Sequence, residues 1–562
     1  MPDSTGTLSR DSIINATPSH AGWSAIWNIP LVERSVGLVL TVIAIYLNWF
    51  NFINAGGLWR DEVNSLNLAL LPDMSKFWSA LQFDSFPVLH YFAIRGWASL
   101  LGSNDTSMRL LGLTVGVLLI LAIWYKSLSL GGRAPIISLL LIGLNPVMIR
   151  FLDAIRPNGL AALATVIAFT VVWRMLKQAD MKHLLVATII LVICAHILFQ
   201  SAIFVLAIGL SAILTGFLQW GLRRAALLSM PFVIAALSLI PYSGNLQKIA
   251  TWAPVAMSPP DSRDLLKGLL QVVNGPAAWT GGLWLVLLLA ALGSMIYGMR
   301  RAAFRSEKDA DRFSLNLYCG LTMVLSTALY MLFLTRWFGT SPKSWHYIPL
   351  LVPLAISSEQ LIERWFDHFY WRAILFLLVT VTFLTTFYPS LHQLQARFTS
   401  MDLVAEGITR EARPNDLVVL MPWFYGVSFS RYYHGSAPWM SFPALTDNSI
   451  HRFDLLKEKM LEPEKVAGDL EAVMTTLKRG GKVWVVGSRI VGEPVSGISL
   501  LPPAPLPQSG WSSTPYLSNW RKYLMFSLAT HAIKSENLYV NDPQMLMPQE
   551  APAIAVYSGY KE

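Results

Sequence analysis

Residues 35–59 read SVGLVLTVIAIYLNWFNFINAGGLW, and the charged residues nearest to this stretch are Arg34 and Arg60 at its two ends. About 20 consecutive apolar residues are enough to cross the hydrocarbon core of a bilayer as a helix. The stretch therefore predicts a membrane-spanning helix. The acidic pair Asp61–Glu62 follows directly, so two carboxylates stand at a predicted membrane boundary.

Similar apolar runs recur along the chain as far as about residue 390. The sequence of 562 residues is 54% hydrophobic and 14% charged, whereas soluble domains carry roughly 25% charged residues. We therefore predict a polytopic α-helical membrane protein with about 11 transmembrane helices. The predicted spans are 35–54, 107–125, 134–150, 158–174, 184–198, 201–219, 225–241, 279–299, 313–335, 345–362 and 372–390.

The composition changes along the chain and predicts three parts. These are a cytoplasmic tail at 1–34, a transmembrane domain at 35–392 with a long first outer loop at 55–106, and an extracytoplasmic domain at 393–562. In the last part, Asp416–Met421 and Lys482–Val486 have the composition of buried parallel strands. Helical patterns at 451–460 and 463–477 lie between them, so this domain is predicted to be α/β, with a role in positioning an acceptor or supporting the membrane domain.

One further apolar segment, Phe86–Leu101, is short for a span and contains His90 and Arg95. If this segment lies along the membrane surface, the loops on the side of the N-terminus hold more Lys and Arg than the short loops opposite. The positive-inside rule then places the N-terminus inside and the C-terminal domain outside. The first loop and the loop at 150–158 also fall on the outer face, so we expect the reaction or binding event there.

Several functional classes receive no support from the sequence. The net charge of +9 is explained by basic cytoplasmic loops, and no module for nucleic-acid binding accompanies it. Neither an HExxH nor a CxxC pattern occurs, so a dedicated zinc site is not indicated.

Asp61 and Glu62 are the first candidates for chemistry, because ionised groups at a membrane boundary are costly to hold. A carboxylate there can act as a general base toward a hydroxyl or an amine. It can also bind a divalent cation, the one cofactor that the sequence suggests. A solvated acidic pair that caps a helix beginning at Val63 explains the same residues.

Basic residues on the outer face are candidates for binding an anion. Arg156 and Pro157 open a predicted span, and a helix N-terminus with a fixed cation suits a phosphate. Snorkelling of Arg156 to lipid headgroups is the alternative. Lys343, His346 and Tyr347 open the tenth span and could also hold a phosphate, although an ordinary interfacial belt of aromatic and basic residues explains them too.

Three further residues are candidates for binding an acceptor or a metal, or for a structural role. Asp84 and His90 lie in the surface segment, and a lone histidine such as His90 is more often structural than a ligand. Asp153 stands near Arg150 in the next outer loop, where the two can simply pair with each other.

The order of these motifs resembles that of a known superfamily. Leu58–Glu62 ends the first span, Asp84–Tyr91 follows in the surface segment, Arg109 opens the next span, and Arg156–Pro157 comes later. Together with the topology, this resembles the GT-C superfamily of membrane glycosyltransferases. It resembles in particular the protein mannosyltransferase-like bacterial branch that includes the lipid A aminoarabinose transferases. The resemblance covers roughly residues 35–390.

The resemblance implies a hexosyl- or pentosyl-transferase on the outer face of the bacterial inner membrane. Such an enzyme moves a sugar from a polyprenyl-phosphate donor to a lipid, glycan or protein acceptor. Asp61 would be the general base, with Glu62 as its partner, and partial burial is expected to raise the pKa of Asp61 toward the working pH. The residues implied to bind the donor phosphate are Arg156, Lys343, His346 and Tyr347. Relatives often carry Arg-Tyr where this chain has His346-Tyr347.

Two other classes of function stay open at this point. A transporter or flippase for a lipid-linked precursor would use the same outer cations. Transporters usually have broken helices and internal repeats, and the sequence shows neither clearly. A non-catalytic scaffold in an envelope assembly complex is the second alternative.

Overall fold

The computed structural model describes residues 29–84, 86–256, 262–302, 307–336, 341–489, 499–538, 546 and 550–562. Residues 1–28 of the predicted cytoplasmic tail lie outside this part of the chain. The described N-terminal part is helical. Its helices are α1 (Ile29–Asn54), α2 (Arg60–Ala69), α3 (Met74–Ala80), α4 (Val88–Leu101), α5 (Asp105–Leu130), α6 (Ile136–Ser138), α7 (Pro146–Leu152), α8 (Pro157–Lys177), α9 (Met181–Ala195), α10 (Ser201–Trp220), α11 (Leu222–Leu237), α12 (Ser243–Ala256), α13 (Ser262–Val273), α14 (Thr280–Ala302), α15 (Glu307–Arg336), α16 (Ser344–Ile362) and α17 (Phe369–Leu394).

Among the described residues, eight helices are long and apolar enough to cross a bilayer. They are Leu31–Asn54, Asp105–Leu130, Pro157–Lys177, Ser201–Trp220, Leu222–Ala256, Thr280–Arg300, Ala310–Arg336 and Phe369–Leu394. The prediction of a polytopic α-helical membrane protein is confirmed, and the count of 11 spans stays a prediction. Of the three remaining predicted spans, α9 is apolar but shorter, and α16 is largely buried inside the protein.

The third remaining span, 134–150, is a broken helix. α6 continues through a π-helical turn at Leu139–Gly143 and then stops. α7 begins at Pro146, with Asn145 as the N-cap whose side chain accepts two backbone N–H groups of the next turn. Proline suits the first turn of a helix because it has no N–H to donate, and Pro146 opens α7 after the break. The structure therefore contains a broken helix that the sequence does not show clearly, and this break is buried within the protein.

The C-terminal part contains a small mixed sheet flanked by helices. Its elements are α18 (Met401–Glu411), β1 (Leu417–Leu420), α19 (Tyr425–Tyr432), β2 (Trp439–Ser441), α20 (Phe453–Leu461), α21 (Val466–Lys478), β3 (Val483–Val486), α22 (Thr514–His531), β4 (Ala532–Leu538) and β5 (Ile554–Tyr560). The strand order is β2-β1-β3-β5-β4. β2, β1 and β3 run parallel, and β5 pairs antiparallel with both β3 and β4. The predicted pair of buried parallel strands is confirmed in β1 and β3, whose residues are all buried.

The α/β domain packs directly on the first loop of the helical part. The Tyr432 hydroxyl accepts a hydrogen bond from the Leu58 N–H at 2.6 Å and donates one to the Asp105 carboxylate at 2.8 Å. The backbone N–H of His451 donates to Asn64 Oδ1 at 2.8 Å. Since Asn64 lies in α2, the helix that carries Asp61 and Glu62 is held between the two domains.

Candidate active site

A cleft with a volume of about 350 Å³ opens where the first loop meets the α/β domain. Its walls come from the first loop, from the start of α8, from the end of α12 and from the α/β domain. Much of the lining is aromatic, and the polar lining residues are Arg60, Asp61, Asp84, Arg156, His451 and Ser513. The cleft therefore brings together Asp61, Asp84 and Arg156, three of the residues that the sequence singles out.

The acidic pair stands in the first turn of α2. This helix begins at Arg60, so the expectation that it begins at Val63 is wrong. The first backbone N–H groups of a helix lack partners within the helix itself and form the positive end of the helix dipole, which favours carboxylates there. The two neighbours nevertheless point to different surroundings, because Asp61 lines the cleft and Glu62 is fully buried.

Two arginines and one histidine surround Asp61. Arg60 Nε lies 3.3 Å from Asp61 Oδ1, and His451 Nε2 lies 3.9 Å from the same oxygen. Arg156 Nη1 donates to the main-chain carbonyl of Asp61 at 2.9 Å. Burial by itself raises the pKa of Asp61, but the positive charges of Arg60 and Arg156 outweigh it and hold the pKa below its usual value. The expectation of a pKa raised toward the working pH is therefore wrong, because the charges of the two arginines exceed the effect of burial.

Glu62 is enclosed by hydrogen-bond donors. Arg109 Nη1 donates to Glu62 Oε1 at 2.6 Å, and the Ile155 N–H donates to the same oxygen at 2.9 Å. The Trp59 N–H donates to Glu62 Oε2 at 3.1 Å. Because the side chain is 0% exposed, Glu62 ties the start of α2 to α5 and to the loop before α8.

Arg156 is the N-cap of α8 and binds the carboxylate of Asp84. Its Nη1 lies 3.0 and 3.1 Å from the two oxygens of Asp84 and also donates to Ser65 Oγ at 2.8 Å. The Tyr91 hydroxyl donates to Asp84 Oδ2 at 3.1 Å. Burial raises the pKa of Asp84, and the opposing charge of Arg156 only partly offsets it. Arg156 therefore links both cleft carboxylates, since it also donates to the Asp61 carbonyl.

His90 and Asp153 lie outside the lining of the cleft. His90 is buried and does not reach it. Asp153 Oδ2 accepts a hydrogen bond from Asn51 in α1 at 3.2 Å. The predicted pair between Asp153 and Arg150 is not formed, because Arg150 donates to the main-chain carbonyl of Gln393 instead. Asp153 thus ties the loop after α7 to α1.

The candidates Lys343, His346 and Tyr347 at the start of α16 differ in their exposure and contacts. Lys343 is exposed, and its backbone N–H donates to His346 Nδ1 at 2.9 Å. The charges of Arg156 and Asp61 both act on His346, so the start of α16 lies near the cleft without lining it. Tyr347 is buried, and its hydroxyl donates to a backbone carbonyl of α13 at 2.6 Å.

Sequence reasoning missed His451 and Glu550, which the α/β domain brings to the start of α2. Glu550 Oε2 accepts a hydrogen bond from the backbone N–H of Arg60 at 3.1 Å, and Ser428 Oγ donates to Glu550 Oε1 at 2.7 Å. Neither residue belongs to a local motif. Only the contact between distant parts of the chain reveals them.

The buried carboxyl group of Glu550 predicts a pH dependence of stability. Burial, against the charge of Arg60, raises its pKa to about 7, whereas an unfolded chain has a value of about 4.3. The folded state therefore binds more protons between these two pKa values, and stability falls as the pH rises through this window. We expect wild type to lose on the order of 1–3 kcal/mol from pH 5 to pH 8 through this group.

Glu550→Gln removes the titrating group, so the variant should lose less stability than wild type over the same range. Thermal unfolding in detergent at pH 5 and pH 8 measures the difference. Glu562→Gln is a matched control, because Glu562 is exposed at the chain end. Equal pH dependence in wild type and Glu550→Gln would contradict the role of Glu550.

The carboxylates of the cleft bear on whether it could hold a divalent cation. Within the described ranges, no group of three His, Cys, Asp or Glu side chains is arranged to hold a metal ion. Asp61 and Asp84, the two carboxylates of the cleft lining, instead lie in contact with Arg60 and Arg156.

Comparisons with known proteins address the fold. The sequence matches no family model and none of the curated proteins. The structure is similar to the crystal structure of ArnT from Cupriavidus metallidurans bound to undecaprenyl phosphate. The TM-score is 0.51 and the identity 14%, over 80% of this chain and 92% of that chain. The apo form of the Archaeoglobus fulgidus oligosaccharyltransferase gives a TM-score of 0.48 and 14% identity, over 83% of this chain and 70% of that chain.

This chain has the GT-C fold. The resemblance seen in the sequence is therefore confirmed at the level of the fold, and the similarity to ArnT extends beyond residue 390, where the resemblance of the motifs ends. In this GT-C fold, the cleft is formed by the loop after the first membrane helix together with the C-terminal domain.

Proposed function

We propose that this protein is a glycosyltransferase that moves a sugar from a polyprenyl-phosphate donor to an acceptor in the cell envelope. The observation that carries the proposal is the cleft, in which Asp61 stands beside Arg60 and Arg156 within a GT-C fold. The similar ArnT structure was solved with undecaprenyl phosphate bound, which supports a lipid-phosphate donor here as well. On the topology predicted from the sequence, the cleft faces the outside of the inner membrane.

The proposed reaction is a substitution at the anomeric carbon of the donor. The acceptor oxygen forms a bond to this carbon while the bond from the carbon to the phosphate oxygen breaks. Asp61 takes the proton of the acceptor. Its lowered pKa keeps Asp61 ionised at neutral pH and therefore able to accept a proton. The acceptor oxygen becomes more acidic as its bond to the anomeric carbon forms, so its proton then passes to Asp61.

Negative charge develops on the leaving polyprenyl phosphate and must be stabilised. Arg156 lines the cleft, and 16% of its side chain is exposed. All hydrogen bonds described for Arg156 use Nη1, which leaves the outer edge of the guanidinium free to face a phosphate. Lys343 and His346 stand at the start of α16, and the charge of Arg156 acts on His346. We place the donor phosphate between these residues and Arg156.

Glu62 and Tyr347 have other roles in this proposal. Both are buried and hydrogen-bonded within the protein. Glu62 positions the first turn of α2, and Tyr347 positions α16 against α13. Neither residue is placed in contact with a substrate.

Lys343→Ala tests the position of the donor phosphate. Removing an exposed cation that contacts a phosphate is expected to raise the KM for the lipid-phosphate donor by about tenfold, with little effect on folding. Steady-state kinetics against donor concentration measure this change. Lys248→Ala is the matched control, since Lys248 is exposed in α12 and does not line the cleft. Equal donor KM values for Lys343→Ala and wild type would remove Lys343 from the phosphate site.

The function itself is tested with the purified full-length protein in lipid nanodiscs. The protein is incubated with a panel of polyprenyl-phosphate sugars and an envelope extract as the source of acceptor. We expect at least one donor to be consumed, with release of free polyprenyl phosphate and a matching gain of one sugar on an envelope molecule. Donor binding without consumption of any donor would favour a transporter or a scaffold instead.

A further inference from the structure

His451 is a residue of the α/β domain that faces the carboxylate of Asp61. Its ring packs edge-to-face against Trp423, with 6.2 Å between the ring centroids, and its backbone N–H is held by Asn64 of α2. The residue is only 9% exposed and lines the cleft. The ring contact with Trp423 and the hydrogen bond of the backbone N–H together restrain His451.

The Nε2 atom of His451 is buried and has no hydrogen-bond partner among the described residues. It lies 3.9 Å from Asp61 Oδ1, which is too long for a hydrogen bond. A buried polar atom without a partner is costly, and this one is directed into a cleft. The arrangement points to a ligand atom that supplies the missing hydrogen bond.

Burial, together with the charges of Arg60 and Arg156 and against the opposing effect of Asp61, lowers the pKa of His451 to about 4. The ring is therefore neutral at physiological pH and carries one N–H. With this hydrogen on Nε2, the ring donates a hydrogen bond while Asp61 accepts one. An oxygen atom can lie about 2.8 Å from both Nε2 and Oδ1, because these atoms are 3.9 Å apart.

We propose that His451 is an acceptor-binding residue and that the acceptor is a neutral hydroxyl of a lipid or glycan. The hydroxyl oxygen receives a hydrogen bond from His451 Nε2 and donates its own hydrogen to Asp61. This inference rests on the proposed transferase function and names the substrate class of its acceptor half.

The charges around the cleft distinguish a hydroxyl from other acceptors. Asp61 and Asp84 are matched by Arg60 and Arg156, so the cleft carries little net charge to attract an ammonium group. Because Arg156 is assigned to the donor phosphate, the same balance of charges leaves no net positive charge to bind an acceptor phosphate. A hydroxyl offers one hydrogen to donate and lone pairs to accept, which matches Asp61 and His451 together.

His451→Phe tests this inference, because phenylalanine keeps an aromatic ring against Trp423 and removes both nitrogen atoms. We expect the KM for the acceptor to rise by about tenfold or more, whereas the KM for the donor stays within about twofold of wild type. His451→Gln should recover part of the loss, since its amide N–H can reach the position of Nε2. His531→Phe is the control, a histidine of the same domain that does not line the cleft.

A purely structural role predicts a different outcome, in which both KM values rise and the unfolding temperature falls. That result, or an unchanged acceptor KM in His451→Phe, would overturn the inference while leaving the transferase function intact. Matched acceptor analogues with an amine or a phosphate in place of the hydroxyl test the substrate class, and equal or better transfer to either would refute it. If wild type transfers no sugar, the proposed function itself fails.

Discussion

Asp61→Asn is expected to lower the rate of sugar transfer by about 10²- to 10⁴-fold, the range that general base catalysis typically contributes. Asparagine preserves the size of the side chain and its place in the first turn of α2, but it cannot take the proton of the acceptor. The amide can still accept a hydrogen bond from Arg60, which lies 3.3 Å from the carboxylate. We therefore expect a folded protein with nearly normal affinity for the donor and a large loss of kcat.

The rate is measured with purified protein in nanodiscs, and donor binding is measured separately by titration with polyprenyl phosphate. Asp73→Asn is the matched control in the same loop. Asp73 is exposed at the N-cap of α3, where asparagine is equally suitable. Normal transfer by Asp61→Asn would remove Asp61 as the base. A loss of transfer in Asp84→Asn with none in Asp61→Asn would move that role to the second carboxylate of the cleft.

The second large effect is expected on the stability of the folded protein. Glu62→Ala should lower the free energy of unfolding by about 3–5 kcal/mol, because it leaves the buried cation of Arg109 without its partner. The carboxylate also accepts hydrogen bonds from the backbone N–H groups of Trp59 and Ile155, which would lose their acceptor. Thermal unfolding and the yield of monodisperse protein in detergent measure this loss.

Glu62→Gln is the informative comparison, since glutamine keeps the volume and one oxygen acceptor. We expect a smaller loss of stability than in Glu62→Ala, with transfer activity recovered in the fraction of protein that folds. The opposite result is a Glu62→Gln variant that is as stable as wild type but inactive. That result would show that Glu62 takes part in the reaction as the catalytic partner of Asp61.

The helical fold was largely predictable because burial in a bilayer demands long apolar runs. The broken helix at 134–150 was not, since an apolar composition is the same in a continuous helix and in a broken one buried inside the protein. In the α/β domain, Leu417–Leu420 and Val483–Val486 were predictable because strands buried on both faces are apolar throughout. β5, which pairs with Val483–Val486, stands much later in the chain, and local composition does not reveal this pairing.

The site was predictable in part. Asp61, Asp84 and Arg156 belong to motifs whose order can be recognised in the sequence, and the structure brings all three to one cleft. The direction of the pKa shift of Asp61 was not predictable, because it depends on how near the charges of Arg60 and Arg156 lie. The place of His451 in the site was not predictable either, since it stands almost four hundred positions from Asp61 in the sequence.

The central claim is that this protein transfers a sugar to an envelope molecule through Asp61. Mass spectrometry of envelope lipids and glycans from cells with and without the protein tests it most directly. The account predicts that one envelope species lacks a single sugar in the absence of the protein, that its polyprenyl-phosphate sugar accumulates, and that wild type restores the sugar whereas Asp61→Asn does not. An identical set of envelope sugars in all of these cells would contradict it.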